Sequence, residues 1–308
     1  TGFGLEKISY DGIRDQEYEK SLLNVNYIID LEIINDVMLW VATDQGILKI
    51  DTWNDYDAEN IIRFSESDTL PPSRRISNNL VHDILPVEDK IWVATGSGMV
   101  IIDTTTNSVT DFNSDLIARV ISKDSSGNIW LGTEMDGLFK IPYELLGDIE
   151  KGEDFELEGH IFDKAFTSGI SSSQITCITE DKNGVIWVGT NGGLNKYVSE
   201  KDNFEHYFVQ DGLPSNYITG VVVDKTNGLW ISSKKGISFY DQVNSTFTNY
   251  SLTDGIGNID FHRHSYDQSS DGSIFFGGPM GITLVNPAEL QFNDYQPPCV
   301  ITRLKKTY

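Results

Sequence analysis

Apolar and polar residues alternate in short runs along most of the chain, and one such run recurs. It consists of an apolar residue, tryptophan, another apolar residue, glycine or alanine, and threonine, followed by a glycine turn and a second apolar run. Residues 186–197 read IWVGTNGGLNKY, and 39–50, 91–102 and 129–141 carry the same phrase. Short runs of this kind between turn residues predict β-strands, and only 142–150 has helical character. The pattern therefore predicts an all-β protein.

The phrase has fixed positions that return at a regular interval. The tryptophan position is filled at 40, 92, 130, 187 and 230, and then by Phe275. The threonine position holds Thr43, Thr95, Thr133, Thr190, Ser233 and Gly278, and the turn glycines are Gly46, Gly98, Gly137, Gly193, Gly236 and Gly281. Thr1 and Gly4 fit the same positions, so TGFGLEKI is interpreted as a seventh copy. Successive threonine positions lie 38 to 57 residues apart, which suits a four-stranded unit with its loops.

A single copy is long enough for a four-stranded antiparallel meander. Its strands are predicted at 217–223 and 229–233, then in ISFYD and TFTNYSL. The second strand is apolar on both faces, so each sheet has to pack between neighbours, and radial stacking achieves this with only short exposed edges. We therefore predict a β-propeller of four-stranded antiparallel blades over 1–290. A β-sandwich, the alternative, would not require one phrase at a regular spacing.

The blade count and the loops are less strongly specified than the fold. We expect a parent ring of seven blades, of which this chain holds five complete blades plus partial first and last copies. The repeats do not decide whether the ring closes within the chain. Residues 52–78 and 141–173 are insertions, which on a repeat scaffold either carry specificity or are surface loops with little effect on stability.

Composition narrows the classes of partner. Asp and Glu number 46 against 23 Lys and Arg, a formal net charge of -23. This field repels phosphate backbones and anionic lipids, so we expect no nucleic-acid partner. No run of 18 apolar residues is present, so no membrane insertion is expected within the chain. The two cysteines, Cys177 and Cys299, indicate neither a disulfide framework nor a zinc site, and the sequence indicates no cofactor.

Two segments carry a family resemblance. GLPSNYITGVVVDKTNGLWIS and SSSQITCITEDKNGVIWVGTNGGLNKY resemble the regulator-propeller repeats of hybrid two-component sensors, and the resemblance covers nearly all of 1–290. Residues 257–290 are similar to the family's closing blade, and 291–308 to a linker and the first strand of a following immunoglobulin-like domain. The resemblance implies the periplasmic part of an inner-membrane protein that recognises an oligosaccharide and signals to a histidine kinase. It also implies a homodimer through the parent protein, and no enzyme activity in this fragment.

Candidate ligand-binding residues come from the loops that gather at one mouth of a propeller. Amides and carboxylates suit sugar hydroxyls, aromatic rings suit the C–H face of a sugar, and arginines suit an acidic group. The alternative is that Asn and Asp only cap turns. An oligosaccharide or other small polar ligand is predicted to contact Tyr27, Arg74, Arg75, Asn79, Gln174, Asn216, Tyr217, Asp260, His262 and Arg263.

Two other functions are compatible with the repeats. Streptogramin-type lyases are also propellers, and their chemistry needs a histidine base and a metal near the axis, where His82, His262 and His264 are expected. His262 and His264 have a metal-compatible spacing on a strand, but no third ligand is evident, so no metal site is predicted. The acidic residues 51–60 superficially resemble a calcium-binding loop, but they lack its central glycine and its distal glutamate. A solvated hairpin loop is therefore predicted there. The other possibility is a dimerisation scaffold that binds no ligand.

Overall fold

A computed structural model describes residues 4–8, 14–19, 25, 27–35, 37–52, 61–113, 115–149 and 169–290, with only the backbone for 4–8, 14–19 and 113. Within these residues the strands form six antiparallel sheets of three or four strands, here called blades 1 to 6, and one two-stranded sheet. The predicted all-β propeller with antiparallel blades is confirmed. The prediction for 291–308 lies outside the described residues.

The strands follow the chain from sheet to sheet without crossing over. The two-stranded sheet pairs β1 (Gly4–Ile8) with β2 (Arg14–Glu19). Blade 1 contains β3 (Ile28–Ile34), β4 (Met38–Thr43), β5 (Gly46–Asp51) and β6 (Ile61–Phe64); blade 2 contains β7 (Val81–Val87), β8 (Lys90–Thr95), β9 (Gly98–Asp103) and β10 (Val109–Asn113). Blade 3 contains β11 (Ala118–Lys123), β12 (Ile129–Thr133) and β13 (Leu138–Ile141); blade 4 contains β14 (Ile175–Glu180), β15 (Ile186–Thr190), β16 (Gly193–Val198) and β17 (Asn203–Tyr207). Blade 5 contains β18 (Ile218–Val223), β19 (Leu229–Ser233), β20 (Gly236–Asp241) and β21 (Thr246–Tyr250); blade 6 contains β22 (Tyr266–Gln268), β23 (Ile274–Gly278) and β24 (Gly281–Val285).

Helical structure is confined to short turns. The helix α1 (Leu146–Ile149) continues a 3-10 turn at Tyr143–Leu145, within the segment predicted to be helical. Other 3-10 turns lie at Pro72–Arg74, Val209–Asp211 and Leu252–Asp254. No helix in the described part of the chain is long and apolar enough to cross a bilayer.

The predicted count of five complete blades in a seven-bladed ring is wrong for the described residues. They form six blades, of which blades 3 and 6 have three strands and the other four have four. In both short blades a proline follows the third strand: Pro142 comes directly after β13, and Pro287 comes two residues after β24. Residues 150–168, which follow blade 3, and 291–308, which follow blade 6, lie outside the described residues. Within the TGFGLEKI copy, Gly4–Ile8 pair with β2 in the two-stranded sheet.

The threonine position closes the turn between the second and third strands of a blade. Thr190 is fully buried; its Oγ1 donates a hydrogen bond to the Gly193 carbonyl oxygen at 2.9 Å and accepts one from the Gly192 N–H at 3.0 Å. The same donor bond recurs from Thr43, Thr95, Thr133 and Ser233 to the glycine of each turn. At Gly46, with φ of 104°, a side chain would meet the carbonyl oxygen of Phe64 at 2.1 Å, so only glycine fits.

The tryptophan position fills the space between blades. All five tryptophans of the phrase are at most 2% exposed: Trp40, Trp92, Trp130, Trp187 and Trp230. In blades 3, 4 and 5 the indole N–H donates to the aspartate that begins the preceding turn, as in Trp187 Nε1 to Asp181 Oδ2 at 3.0 Å. Blades 1 and 2 have shorter turns, and Nε1 of Trp40 and Trp92 has no hydrogen-bond partner among the described residues. In blades 3, 4 and 5 the aspartate six residues before the tryptophan therefore provides an acceptor for a buried donor.

Successive blades are joined by packing and by backbone hydrogen bonds. Position 189 requires a glycine, because a Cβ there would lie 2.8 Å from the Ile218 side chain of the next blade. The turn-glycine N–H bonds to a carbonyl of the following blade's entry loop in four cases: Gly46 to Asn79, Gly98 to Leu116, Gly137 to Ser173 and Gly236 to Ile259. The inner strands β3, β7, β11, β14, β18 and β22 pack in this order around a common axis. A cleft of about 840 Å³ lies between blade 6 and blade 1.

Candidate ligand-binding site

A β-bulge interrupts the inner strand of each of blades 1 to 5 at the same point of the repeat. The bulged residues are Ile29, His82, Arg119, Thr176 and Thr219. In blade 6, His264 occupies the corresponding stretch just before β22, with φ of 54°. A bulge re-aims a side chain, and the packed inner strands bring residues from different blades together. Nη1 of Arg119 in blade 3 accordingly lies 3.1 Å from Nδ1 of His82 in blade 2.

Glu134 is the centre of a charged network on the axial side of the blades. Its Oε2 lies 2.6 Å from Nε of Arg119 and 3.5 Å from Nη1 of Arg263. Its Oε1 accepts a hydrogen bond from Nε2 of Gln174. Because Glu134 is only 20% exposed, these partners compensate the loss of hydration of its carboxylate. Three blades thus contribute to one cluster of interacting side chains.

Tyr217 extends this network toward blade 5. Its hydroxyl accepts a hydrogen bond from Nε of Arg263 at 3.0 Å, and the guanidinium carbon lies 5.4 Å from the ring centroid. The ammonium of Lys234 lies 5.8 Å from the same centroid and forms an ion pair with Asp260 at 2.6 Å. The aromatic ring therefore has two cations within 6 Å of its centroid, a proximity that the ring quadrupole favours.

The hydrogen bonding of His82 fixes the tautomer of its ring. Arginine only donates hydrogen bonds, so Nδ1 of His82 accepts from Arg119 and the proton of the neutral ring is on Nε2. Burial, reinforced by Arg119, His264 and Arg263, lowers the pKa of His82 to about 3, which keeps the ring neutral at neutral pH. Burial also lowers the pKa of His264. Since Nε2 of His82 has no acceptor among the described residues, the axial cluster contains a buried N–H without a partner.

The structure places four of the ten predicted ligand-binding residues in this network. They are Gln174, Tyr217, Asp260 and Arg263. Their side chains come from blades 4, 5 and 6, and each bonds to a residue of another blade or to a neighbouring turn. A ligand at the axis would therefore contact groups that are already fixed in place.

The other six predicted residues lie apart from the network. Asn79 Oδ1 accepts from the N–H of Glu66 at 2.8 Å, and Arg75 bonds to Asp68 at 3.2 Å, so both hold their own loop together. Asn216 Oδ1 accepts from the N–H of residue 209 at 2.8 Å, which is the turn-capping alternative. Tyr27 and His262 are exposed and Arg74 ends the 3-10 turn before β7.

Four members of the network were not predicted as ligand-binding residues, namely His82, Arg119, Glu134 and Lys234. Glu134 and Lys234 each follow the threonine position directly, at Thr133 and Ser233. The same position holds Asp44, Gly96, Asn191 and Pro279 in the other copies, so an alignment would have given only a weak signal of charge there. No comparable signal marks Arg119, because the bulge that directs it is set by strand register.

The predicted pairing of two histidines on one strand face does not occur. His262 and His264 lie before β22, and the positive φ of His264 places it in a turn, so the alternation that would align both rings is absent. Among the described residues, no group of three or more His, Cys, Asp or Glu side chains is arranged to hold a metal ion.

The cleft between blades 1 and 6 is a second concave region. Its walls include Asp30, Glu32 and Asp267 together with apolar side chains of β3 and β24. Burial, with Asp30 and Asp267 nearby, raises the pKa of Glu32 to about 7. The cleft is thus acidic, in contrast to the cationic groups around Glu134.

The repeats match a family model. The model of the two component regulator propeller matches residues 169–192 and 212–235, which cover the entry loop, inner strand and tryptophan strand of blades 4 and 5. These two segments are thus similar to two component regulator propeller repeats. No curated protein matches the chain by sequence.

Solved structures with a similar fold include two extracellular domains and an enzyme. The extracellular domain described as that of the hybrid two component system BT3049 from B. thetaiotaomicron has a TM-score of 0.75 and 21% identity, over 93% of this chain and 36% of its own. The extracellular domain of BT4673 from the same organism, described as a one component system, has a TM-score of 0.67 and 15% identity, over 86% of this chain and 35% of its own. A catalytically inactive virginiamycin B lyase from Staphylococcus aureus with quinupristin has a TM-score of 0.64 and 15% identity, over 91% of this chain and 86% of its own. At these identities the likeness establishes the fold, and this chain spans about a third of the length of the two extracellular domains.

Proposed function

We propose that this chain is the ligand-sensing part of an extracytoplasmic region of a hybrid two-component sensor, located in the periplasm. The observation that carries the proposal is the combination of regulator propeller repeats with a fold that matches a sensor's extracellular domain over 93% of the chain. The parent protein would be a homodimer that signals to a histidine kinase. The propeller would bind an oligosaccharide or another small polar ligand and itself catalyse no reaction.

The axial network supports a recognition role. Amide, hydroxyl, carboxylate and guanidinium groups from several blades converge around Glu134, and Tyr217 adds an aromatic ring. Sugar recognition requires this mixture of planar polar groups and an aromatic face. A ligand that contacts several blades can change their relative packing, because it stabilises the arrangement to which it binds more tightly.

A lyase activity is the second candidate, because virginiamycin B lyase shares the fold and two histidines lie near the axis. The environment of His82 argues against this activity. A general base works best with a pKa near the working pH, whereas burial and the neighbouring cations lower the pKa of His82 to about 3. Incubation with quinupristin, followed by mass spectrometry, is expected to show no ring-opened product.

Calorimetric titration of the folded chain with a panel of neutral and acidic oligosaccharides tests the sensing role. We expect saturable heat with at least one member, and loss of that heat in Glu134→Gln, which removes the charge that orders both arginines. The matched control is Glu205→Gln on the outer strand β17, where the carboxylate forms a 3.8 Å ion pair with Lys196. Absence of heat with every oligosaccharide, in a chain with intact β circular dichroism, would contradict the proposal.

A further inference from the structure

The hydrogen-bonding groups around His82 are predominantly donors. Nε2–H of His82 is a donor, because the other ring nitrogen accepts from Arg119. The ring is 4% exposed, and within the described part of the chain Nε2 has no acceptor. An unpaired buried N–H is costly, so an acceptor at this position would be strongly favoured.

Arg119 and Arg263 both face Glu134. Each guanidinium has five N–H donors, more than these contacts use. The carboxylates of blades 1 and 2 already accept hydrogen bonds from the backbone: Asp30 from the N–H of Ile84 at 3.1 Å, and Asp83 from that of Ile121 at 2.8 Å. The cluster therefore has donors that none of the hydrogen bonds named here uses.

We propose that the axial cluster is a carboxylate-binding site, in which an anionic oxygen of the ligand accepts hydrogen bonds from Nε2 of His82 and from the guanidinium of Arg263. This inference rests on the proposed sensing function and specifies the chemistry of its ligand. Histidine and arginine donors suit a carboxylate because charge-assisted hydrogen bonds are stronger than those to a neutral hydroxyl. The site therefore selects an acidic sugar or a small organic acid over a neutral sugar in a chain that otherwise carries a net charge of -23.

The position of the site would connect binding to the whole ring. His82 belongs to blade 2, Arg119 to blade 3 and Arg263 to the segment before β22 of blade 6. A carboxylate between them would bridge blades that are not neighbours in the ring. Binding at the axis would thus restrain the packing of the inner strands, which a ligand on one outer loop could not do.

Selective ¹⁵N labelling of histidine tests the inference without any substitution, because the 308-residue chain has five histidines: His82, His160, His206, His262 and His264. D-glucuronate and D-glucose form a matched pair of probes that differ in having a carboxylate or a hydroxymethyl group, and acetate presents the carboxylate without the sugar. We expect Nε2 of His82 to carry the proton and its resonance to shift with glucuronate but not with glucose. His206, which lies 3.0 Å from the Gly169 carbonyl on the outer strand β17, is the internal control and should not move.

The three probes separate the sources of the carboxylate. A shift with glucuronate alone identifies a sugar acid, and a shift with acetate as well identifies a site that recognises the carboxylate itself. Equal shifts with glucose and glucuronate, or no shift of His82 at concentrations that fill a millimolar site, would overturn the inference; the N–H would then be bound to a buried water. Heat from a neutral oligosaccharide while His82 stays unchanged would overturn the carboxylate site and leave the sensing function standing.

A substitution provides the second readout. Arg263→Gln is expected to weaken glucuronate binding about ten- to hundredfold, the usual effect of removing a charged hydrogen-bond donor. Arg63→Gln on the outer strand β6 removes the same charge far from the axis and should leave the affinity unchanged. Equal affinities in the two variants would contradict the role of Arg263.

Discussion

The aspartate before the tryptophan of blade 4 provides a quantitative test of how the repeat is stabilised. Asp181 is 4% exposed and accepts three hydrogen bonds: from the N–H groups of Asn183 and Val185 at 2.8 and 3.1 Å, and from Nε1 of Trp187 at 3.0 Å. In Asp181→Ala the two turn amides can bond to water, whereas the indole N–H cannot, because Trp187 is fully buried. Leaving such a donor unpaired costs about 1–3 kcal/mol.

Asp241 in the outer hairpin of blade 5 is the matched control. It also accepts from two turn amides, those of Val243 and Asn244 at 2.9 and 3.1 Å, but its third donor is the exposed amide of Asn244 at 2.7 Å. Asp181→Ala should therefore lower the free energy of unfolding by about 1–3 kcal/mol more than Asp241→Ala. Urea unfolding followed by circular dichroism measures both values.

A double-mutant cycle isolates the indole contribution. In a Trp187→Phe background no N–H requires an acceptor, so the additional cost of Asp181→Ala should fall to that of Asp241→Ala. If the two alanine variants are equally destabilised in the original background, or if Trp187→Phe leaves the difference intact, the aspartate acts only on its turn and the account of the buried tryptophan is refuted.

Three further predictions concern packing and ionisation. Gly189→Ala places a Cβ 2.4 Å from the Sγ of Cys177 and should lower the free energy of unfolding by about 1–3 kcal/mol, which thermal melts will show as a lower melting temperature. Gly147→Ala, with open space around it, should not lower either value. Folding raises the pKa of Glu32 from 4.5 to about 7, so between these pH values the folded state binds more protons than the unfolded state and loses stability as the pH rises. Glu32→Gln should therefore be more stable than the original chain at pH 8 but not at pH 4. Thermal melts at each pH measure this difference. Burial raises the pKa of the Cys177 thiol to about 12, so in a Cys299→Ser variant a thiol reagent should react only after denaturant is added, and rapid reaction of the native chain would contradict the packing.

The fold was predictable from sequence because each position of the phrase serves a local contact. Every blade has the same four needs, and each position of the phrase meets one of them. In blade 4, Trp187 fills the space between blades and Gly189 allows the next blade to approach closely. Thr190 makes the hydrogen bond that closes the turn, and Gly193 adopts the positive φ that the turn requires. The number of blades was not predictable in this way. Gly4–Ile8 carry the turn glycine of a seventh copy, yet among the described residues they pair only with β2.

The candidate site was only partly predictable for a different reason. Choosing residues from the loops at one mouth gave Gln174, Tyr217, Asp260 and Arg263, together with six residues that lie apart from the network. Arg119 and Glu134 belong to a strand and a turn of blade 3, and their pairing depends on a bulge and on packing between blades. Interactions across blades have no signature within one copy of the phrase.

The bulged position of the inner strands has a consequence for how such proteins diversify. The residues that hold a blade together are nearly invariant from copy to copy within this chain, whereas the bulge holds isoleucine, histidine, arginine or threonine. The residues that stabilise a blade and the residue that the bulge directs are therefore different positions of the same repeat. We expect single substitutions at the bulge to change the chemistry of the axial side chains without altering the contacts that hold the blades together.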